Sequence, residues 1–369
     1  MAGAMIVSAS YRSDIPAFYG PWFLRRLAAG YVVVRNPYGG ADFRVDLRPE
    51  AVDGYIFWTR NPAPFEAALA EVAGCGTPFA VQMTITGYPR ALETSVIEAP
   101  RAVAQMHAIA GTYGPRAAVW RYDPILATSL TPPAWHRRNF AALAGALAGA
   151  VDEVVVSWAT IYAKTARNLA AAARAHGFDW SDPPDEEKRA LLLELAEIAA
   201  THGMQMTLCS QPQLLPDAEA PHPNPLPQGQ RELERALHIP SPLGGEGGAH
   251  GRRPREGEGA GGAGSALILP ARCVDAGRLS DIAGRPIAAK DKGNRPGCEC
   301  AESRDIGAYD TCPHGCVYCY AVQNRSRAQR RFKAHDPDDP MLGRDTPTED
   351  KTRPDLRPAA QPDLFGTDA

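Results

Sequence analysis

Three cysteines near the C-terminus have the spacing of iron–sulfur ligands. Residues 311–321 read Thr-Cys-Pro-His-Gly-Cys-Val-Tyr-Cys-Tyr-Ala, so Cys312, Cys316 and Cys319 form a Cys-x3-Cys-x2-Cys loop. Three thiolates this close together can each bind one iron of a [4Fe–4S] cluster and leave its fourth iron without a protein ligand. The alternative is a structural zinc site completed by His314 or another cysteine, but zinc ligands usually come as separated Cys-x2-4-Cys pairs. The spacing therefore favours a cluster with one open iron.

An open iron suits S-adenosylmethionine (SAM), whose amino and carboxylate groups can chelate it. One-electron reduction then cleaves a C–S bond and generates an adenosyl radical, a reaction that belongs to the cofactors rather than the protein. The loop resembles the signature of radical SAM enzymes, in which an aromatic residue, here Tyr318, precedes the third cysteine. The sequence of the loop is especially similar to that of spore photoproduct lyase and its relatives. The resemblance implies a radical SAM enzyme with an electron donor such as a flavodoxin or ferredoxin, and favours a DNA lesion or modified base as substrate.

A second group contains four cysteines, which is the number of protein ligands in a metal site without an open coordination position. Seven of the eight cysteines lie after position 208, and the four outside the loop are Cys209, Cys273, Cys298 and Cys300. Four thiolates can hold a tetrahedral zinc ion or an auxiliary [4Fe–4S] cluster, and unligated thiols are the third alternative. We expect Cys209 and Cys273 to be much closer in space than in sequence. The eighth, Cys75, is expected to be a plain buried thiol.

The elements that must position these groups alternate along the chain. Short apolar runs predict strands at residues 5–8, 31–34, 55–58, 79–85, 117–120, 153–157 and 204–208. Amphipathic or Ala-rich segments between them predict helices, among them 21–29, 64–72, 134–148 and 185–202. Such alternation is typical of a parallel sheet, either open or closed into a barrel. The predicted fold class is therefore α/β, with a (β/α) barrel-like domain over residues 1–215.

Polar residues follow several predicted strands, at the edge where α/β proteins bind their substrates. Arg12, Arg60 and Arg121 each follow a strand, and a guanidinium suits a carboxylate or phosphate. Asp14 and Asp123 can hold ribose hydroxyls or a substrate amine, or pair with those arginines. We take Arg12, Arg121 and Asp123 as candidate cofactor-binding residues, whereas the sequence identifies no catalytic residue.

The remaining regions differ in composition. Residues 216–266 are rich in Pro and Gly and predict a disordered insertion in a surface loop. Residues 267–335 hold six cysteines and are expected to dock on the barrel as an iron–sulfur region. The tail, 336–369, is predicted to be disordered. Within it, Gln361 to Phe365 resembles the peptide by which many bacterial DNA-processing proteins bind the sliding clamp, so the clamp and DNA are candidate partners.

Nearly the whole chain is similar to the family called domain of unknown function 1848. The similarity rests on Ile-Val-Ser-Ala-Ser-Tyr-Arg-Ser-Asp-Ile-Pro at 6–16, Phe-Trp-Thr-Arg-Asn-Pro at 57–62, Trp-Arg-Tyr-Asp-Pro at 120–124 and the segment from 298 into the cysteine loop. This family is noted for a C-terminal cysteine cluster like the one that radical SAM enzymes carry near the N-terminus. The C-terminal position of the cysteine cluster implies a circularly permuted radical-SAM partial barrel. Radical SAM enzymes usually hold the amine of SAM with a Gly-Gly-Glu-like segment that follows the next strand. Gly39 and Gly40 match its glycines, but no acidic residue directly follows them, so the residues that bind SAM stay unassigned.

Composition and charge leave two classes of function open. The formal net charge of −3 gives no overall attraction to nucleic acid or anionic membrane, and no targeting segment or membrane span is visible. We therefore expect a cytoplasmic protein without membrane contact. The alternative to a radical SAM enzyme is a non-enzymatic iron–sulfur or zinc protein that binds DNA or the sliding clamp. A third interpretation is an enzyme of other chemistry whose metal sites only stabilise the C-terminal region.

Overall fold

The computed structural model describes residues 5–36, 39–215 and 267–344. Contacts divide the chain into one unit of Met1–Leu215 with Ala266–Ala369 and a second of Pro216–Ser265, and everything described below lies in the first. The insertion predicted at 216–266 and the clamp-binding peptide predicted at Gln361 to Phe365 lie outside the described residues.

Most strands of the described residues belong to one parallel sheet. The strands are β1 (Ile6–Ala9), β2 (Tyr31–Val34), β3 (Phe43–Asp46), β4 (Gly54–Thr59), β5 (Phe79–Thr84), β6 (Ala118–Ile125), β7 (Ala127–Thr128), β8 (Glu153–Trp158), β9 (Trp180–Ser181), β10 (Gln205–Leu208), β11 (Leu269–Pro270) and β12 (Ser303–Asp305). Eight of them form a sheet in the order β11-β10-β8-β6-β5-β4-β1-β12, and every pairing in it is parallel. The prediction of an α/β fold with a large parallel sheet is confirmed.

The order of the strands in the sheet follows their order in the chain, except that the last strand pairs with the first. Ile6 of β1 lies between Gly54 of β4 and Ser303 of β12. The edge strands β11 and β12 are consecutive in the chain, which is the order expected of a barrel. No ladder joins them in the described residues, so barrel closure remains a prediction.

Helices connect most of the parallel strands. They are α1 (Ile15–Phe18), α2 (Gly20–Ala29), α3 (Glu66–Gly74), α4 (Ala99–Tyr113), α5 (Pro133–Leu147), α6 (Ala163–His176), α7 (Asp185–Thr201), α8 (Ala276–Ala283) and α9 (Arg325–Lys333). Side-chain caps begin three of them: Asp14 accepts a hydrogen bond from the amide of Ala17, Asp275 caps α8, and Asn324 caps α9. No helix among the described residues has the length and apolar character needed to cross a membrane.

Both faces of the parallel sheet are buried, as parallel sheets require. On one face, side chains such as Val7, Phe57 and Trp120 join the large core that includes the helices α2 to α5 and α7. On the other face, called the inner face below, one side chain from each of five strands packs against Leu279 of α8 and its neighbours. These five side chains are Ile6, Ile56, Ala80, Val119 and Val155. The segment that follows β11 therefore covers the inner face of the sheet.

Three local features differ from the sequence prediction. The run at 31–34 is a strand, but β2 pairs antiparallel with β3 outside the main sheet. The packed chain continues past the boundary predicted at 336, because Met341 and Leu342 are buried and the indole of Trp22 donates a hydrogen bond to the carbonyl of Asp339 (2.8 Å). Cys75 is exposed rather than buried, because it follows the C-terminal end of α3.

Candidate functional site

A cavity of about 300 Å³ lies at the carboxyl ends of the parallel strands, and both groups of cysteines line it. Its walls include every residue that the sequence singled out as a ligand or cofactor-binding candidate, which are Arg12, Arg121, Asp123, Cys209, Cys273, Cys298, Cys300, Cys312, Cys316 and Cys319. The cysteines come from the end of β10, from the segment after β11, from the segment before β12 and from the loop after β12. Seven residues scattered over the C-terminal half of the sequence therefore meet at one place.

Asp305, the last residue of β12, fixes the start of the cysteine loop to the end of β1. Its fully buried carboxylate accepts hydrogen bonds from the hydroxyl of Ser10 (2.7 Å), the amide of Tyr11 (3.0 Å) and the Nε of Arg12 (2.8 Å). Arg12 also donates from Nη2 to the carbonyl of Asp305 (2.9 Å). The guanidinium that we predicted to bind a cofactor is therefore paired within the protein, although it lines the cavity.

Both ring nitrogens of His314 contact oxygen atoms of the protein, since Nδ1 lies 3.3 Å from the carbonyl of Ser95. Its Nε2 lies 2.8 Å from a carboxylate oxygen of Asp14, and the same carboxylate accepts the amide of Arg60 at 2.8 Å. Through these bonds Asp14 joins the cysteine loop to the carboxyl end of β4. The contact with Asp14 does not favour the zinc alternative in which His314 completes the ligand set.

A buried ion pair holds the aromatic residue of the loop. Nη1 of Arg60 lies 2.8 Å from the carboxylate of Glu93, which also accepts a hydrogen bond from Thr86 (2.7 Å). The hydroxyl of Tyr318 donates to Glu93 and accepts from Arg60. Arg60 is thus also paired, and its partner Glu93 lies in the loop after β5, where no sequence pattern marks it as functional. The pair orients Tyr318 beside Cys316.

The three thiols of the cysteine loop are half-buried, and no thiol–thiol hydrogen bond joins them. Burial raises the pKa of Cys312, and raises that of Cys316 to about 12. Hydrogen bonds from backbone amides to Cys312 and Cys319 counteract this effect, and Tyr318, whose hydroxyl proton bonds to Glu93, lies beside Cys316. Donors of this kind stabilise sulfur ligands in their deprotonated form.

The four remaining thiols lie together on the inner face of the sheet. The Sγ atoms of Cys209 and Cys273 are 3.6 Å apart, and the amide of Val274 donates to Sγ of Cys300 at 3.4 Å. The hydrogen bond from Cys300 lowers the pKa of Cys298 to about 6. The prediction that Cys209 and Cys273 approach each other across the insertion is therefore correct.

Two arginines contact this second group. Nη1 of Arg121 lies 3.0 Å from Sγ of Cys273, and Nη2 of Arg295 lies 3.4 Å from Sγ of Cys209. Arg121 also pairs with Asp123, so these two candidate cofactor-binding residues are partners of each other. Both belong to β6, which continues past its predicted end at 120. Sequence reasoning missed Arg295, which lies in an irregular segment without periodicity.

Aromatic side chains add flat surfaces to the cavity. Tyr11 and Trp58 meet edge to face with their ring centres 6.3 Å apart, and Tyr309 also lines the cavity. Tyr162 and Tyr320 are 41% and 43% exposed although they line the same cavity. A partly exposed aromatic rim is a surface on which a planar ring can stack.

In the part of the chain that the structure describes, no three His, Cys, Asp or Glu side chains are already arranged as a metal site. The cysteines line one cavity, but their sulfur atoms do not surround a common point. Metal binding at either group therefore requires reorientation of the side chains.

Comparison with known proteins gives a family and no characterised relative. The family model described as "Domain of unknown function (DUF1848)" matches residues 6–225 and 262–321. No curated protein and no solved structure matches the chain. The matched region includes all seven cysteines of the cavity, so the cavity belongs to the part of the chain that defines the family.

Proposed function

We propose a function for this chain, which belongs to the DUF1848 family: it is a radical-SAM-type iron–sulfur enzyme. In this proposal Cys312, Cys316 and Cys319 bind a [4Fe–4S] cluster, and SAM and the substrate share the cavity. The observation that carries the proposal is that the Cys-x3-Cys-x2-Cys loop lines a cavity at the carboxyl ends of a parallel sheet. When bound, such a cluster supplies the electron that cleaves SAM.

The residues of the loop suit an iron–sulfur cluster in two respects. The three thiols face the cavity, where ligands that each bind a different iron must lie. Backbone amides already donate to the sulfur atoms of Cys312 and Cys319, and such hydrogen bonds tune the reduction potential of a cluster. The geometry of a cluster still requires the side-chain reorientation noted above.

The topology supports a permuted radical-SAM arrangement. In radical-SAM barrels of the usual kind, the cysteine loop follows the first strand and precedes the first helix. Here the loop follows β12 and precedes α9, and β12 pairs with β1 in parallel. A strand–loop–helix unit at the end of the chain therefore lies beside the first strand of the sheet, where a permuted enzyme needs it. A closed or nearly closed barrel is part of this proposal.

The polar residues around the loop act in the proposal as positioning groups. The carboxylate of Asp305 holds the strand that leads into the loop. The ion pair of Arg60 and Glu93 holds Tyr318 against Cys316.

The substrate that we propose is a nucleobase, as in a DNA lesion or a modified base. The exposed rings of Tyr162 and Tyr320 at the cavity suit stacking on a planar ring. The helix after the loop, α9, carries Arg325, Arg327, Arg330, Arg331 and Lys333. This cationic surface suits either a phosphate backbone or an acidic electron donor such as a flavodoxin, although the chain as a whole is slightly acidic.

Anaerobic purification followed by iron and sulfide analysis and EPR of the reduced protein tests the proposal. We expect about four irons per chain from this cluster and a spectrum that changes when SAM is added. Cys316→Ala should lose the iron and the SAM response, whereas Cys75→Ala, which removes an exposed thiol outside the cavity, should retain both. A cluster whose spectrum is indifferent to SAM, or a protein that contains no iron, would refute the enzyme and favour a metal-stabilised binding protein.

A further inference from the structure

The second cysteine group, Cys209, Cys273, Cys298 and Cys300, is built differently from the cysteine loop. The Sγ atoms of two of its members, Cys209 and Cys273, are 3.6 Å apart and make a thiol–thiol hydrogen bond. Among the described residues, the thiols of the cysteine loop make no hydrogen bond of this kind. The distance between two sulfur atoms bears on which ligand they can bind together.

Sulfur spacing separates a single metal ion from an iron–sulfur cluster. In a tetrahedral site with Zn–S bonds of about 2.3 Å, neighbouring sulfur atoms lie about 3.8 Å apart. In a [4Fe–4S] cluster each cysteine binds a different iron, so the sulfur atoms are separated by the width of the cluster. The distance of 3.6 Å between Cys209 and Cys273 is that of two corners of a zinc-sized tetrahedron. Because Cys298 and Cys300 line the same cavity as this pair, rotation of the side chains can bring all four thiols to one ion.

The surroundings supply the hydrogen bonds that metal-bound thiolates need. Arg121 donates to Cys273 at 3.0 Å, and Arg295 donates to Cys209 at 3.4 Å. The amide of Val274 donates to Cys300 at 3.4 Å. Four thiolates around a divalent ion retain negative charge, which the guanidinium of Arg295 offsets, while Arg121, whose charge is paired with Asp123, donates a hydrogen bond.

The four residues also lie in segments that adjoin the two edges of the sheet. Cys209 follows β10, Cys273 follows β11, and Cys298 and Cys300 precede β12. These segments belong to opposite edges of the sheet, and no ladder joins β11 to β12 in the described residues. The amide of Ala301 donates to the carbonyl of Val274 at 2.9 Å beside these cysteines, and a metal ion bound by all four residues adds a second link between the two edges.

We propose that Cys209, Cys273, Cys298 and Cys300 bind one zinc ion, which closes the inner face of the sheet beneath the cavity. Four thiolate ligands leave no open coordination position, which is typical of structural zinc. The proposal does not depend on the radical-SAM function, since zinc in this group and iron in the cysteine loop are measured separately.

The test is metal analysis of the full-length protein, purified anaerobically from medium that contains both zinc and iron. We expect about one zinc per chain in addition to the iron of the cysteine loop. Cys273→Ser should lower the zinc content at least about tenfold and leave some iron in the folded fraction, since outer partners alone already change metal affinity 10- to 100-fold. Cys316→Ala should lose iron and retain zinc, and Cys75→Ser should change neither.

Exchange of the bound metal for Co²⁺ in the unmodified protein keeps the test decisive if Cys273→Ser does not fold. Four thiolates around Co²⁺ give intense charge-transfer and ligand-field absorption that identifies tetrahedral sulfur coordination. Arg295→Gln should weaken retention of the ion against a chelator about tenfold. About eight irons without zinc would overturn the proposal in favour of an auxiliary cluster, and so would a Cys209–Cys273 disulfide or four freely reactive thiols in a metal-free protein.

Discussion

Replacing Asp305 by Ala is expected to lower the free energy of unfolding by about 6 kcal/mol. The side chain of Asp305 is 0% exposed, and its partner Arg12 is 5% exposed. Removing one partner of a buried ion pair costs roughly 3–5 kcal/mol, because it leaves the other charge without compensation. The amides of Tyr11 and Gly307 lose their acceptor as well, and each such loss adds about 1 kcal/mol or more.

The measurement is equilibrium unfolding in urea, with the iron content of each variant determined in parallel. Asp305→Asn keeps the volume and one acceptor oxygen, so its cost should lie between that of the Ala variant and zero. The control is Glu194→Ala, which removes the ion pair with Arg137 on the surface, where the carboxylate is 43% exposed. Exposed pairs contribute about 0–1 kcal/mol, so the control should unfold almost as the unmodified protein does.

The iron content separates two consequences of the same change. Asp305 ends the strand that leads into the cysteine loop, so the Ala variant should also retain less iron than Glu194→Ala. A loss of stability for Asp305→Ala no larger than that of the control would refute our assignment of Asp305 as the anchor of the loop. An unchanged iron content in a clearly destabilised variant would refute the connection between this anchor and the cluster.

Three further changes test other parts of the structure. Burial lowers the pKa of His136 from 6.5 to about 4, so the folded state favours the neutral ring. Stability should be complete above pH 6.5 and fall by about 3 kcal/mol as the pH approaches 4, and urea unfolding of His136→Gln should show a flatter profile. Gly307→Ala places a methyl group 2.0 Å from Oγ of Ser10 and should cost about 1–3 kcal/mol, with Gly74→Ala, which meets nothing within 4 Å, as the unperturbed control. Leu279→Ala should cost about 2–5 kcal/mol in thermal or urea unfolding, because the side chain is fully buried on the inner face of the sheet; a cost below 1 kcal/mol would contradict that packing.

Sequence patterns were sufficient where the signal is local. The apolar run of β8 and the alternation of such runs with helices predicted the parallel sheet, because a strand buried on both faces has few polar residues. The Cys-x3-Cys-x2-Cys spacing identified the candidate ligands, and the strand ends identified the edge at which they meet. The sequence predicted that Cys209 and Cys273 lie close together, because the segments on either side of a loop insertion pack near each other.

Patterns failed where partners come from distant parts of the chain. The run at 31–34 was recognised as a strand, but periodicity does not specify a partner, and β2 pairs with β3 instead of joining the main sheet. Glu93 lies in a loop, and only the fold brings its carboxylate to Arg60 and Tyr318.

The sequence by itself determined the fold class, the candidate cysteine ligands and the strand edge, because residue type, spacing and hydrophobic period are local properties of a chain. Only the tertiary structure showed that Arg12 and Arg121 form ion pairs within the protein, with Asp305 and Asp123 respectively. Arg12 and Asp305 are 293 residues apart in the chain, and their contact exists because β12 pairs with β1. It also decided that the two cysteine groups share one cavity, since such proximity depends on how separate segments pack together rather than on the composition of either one.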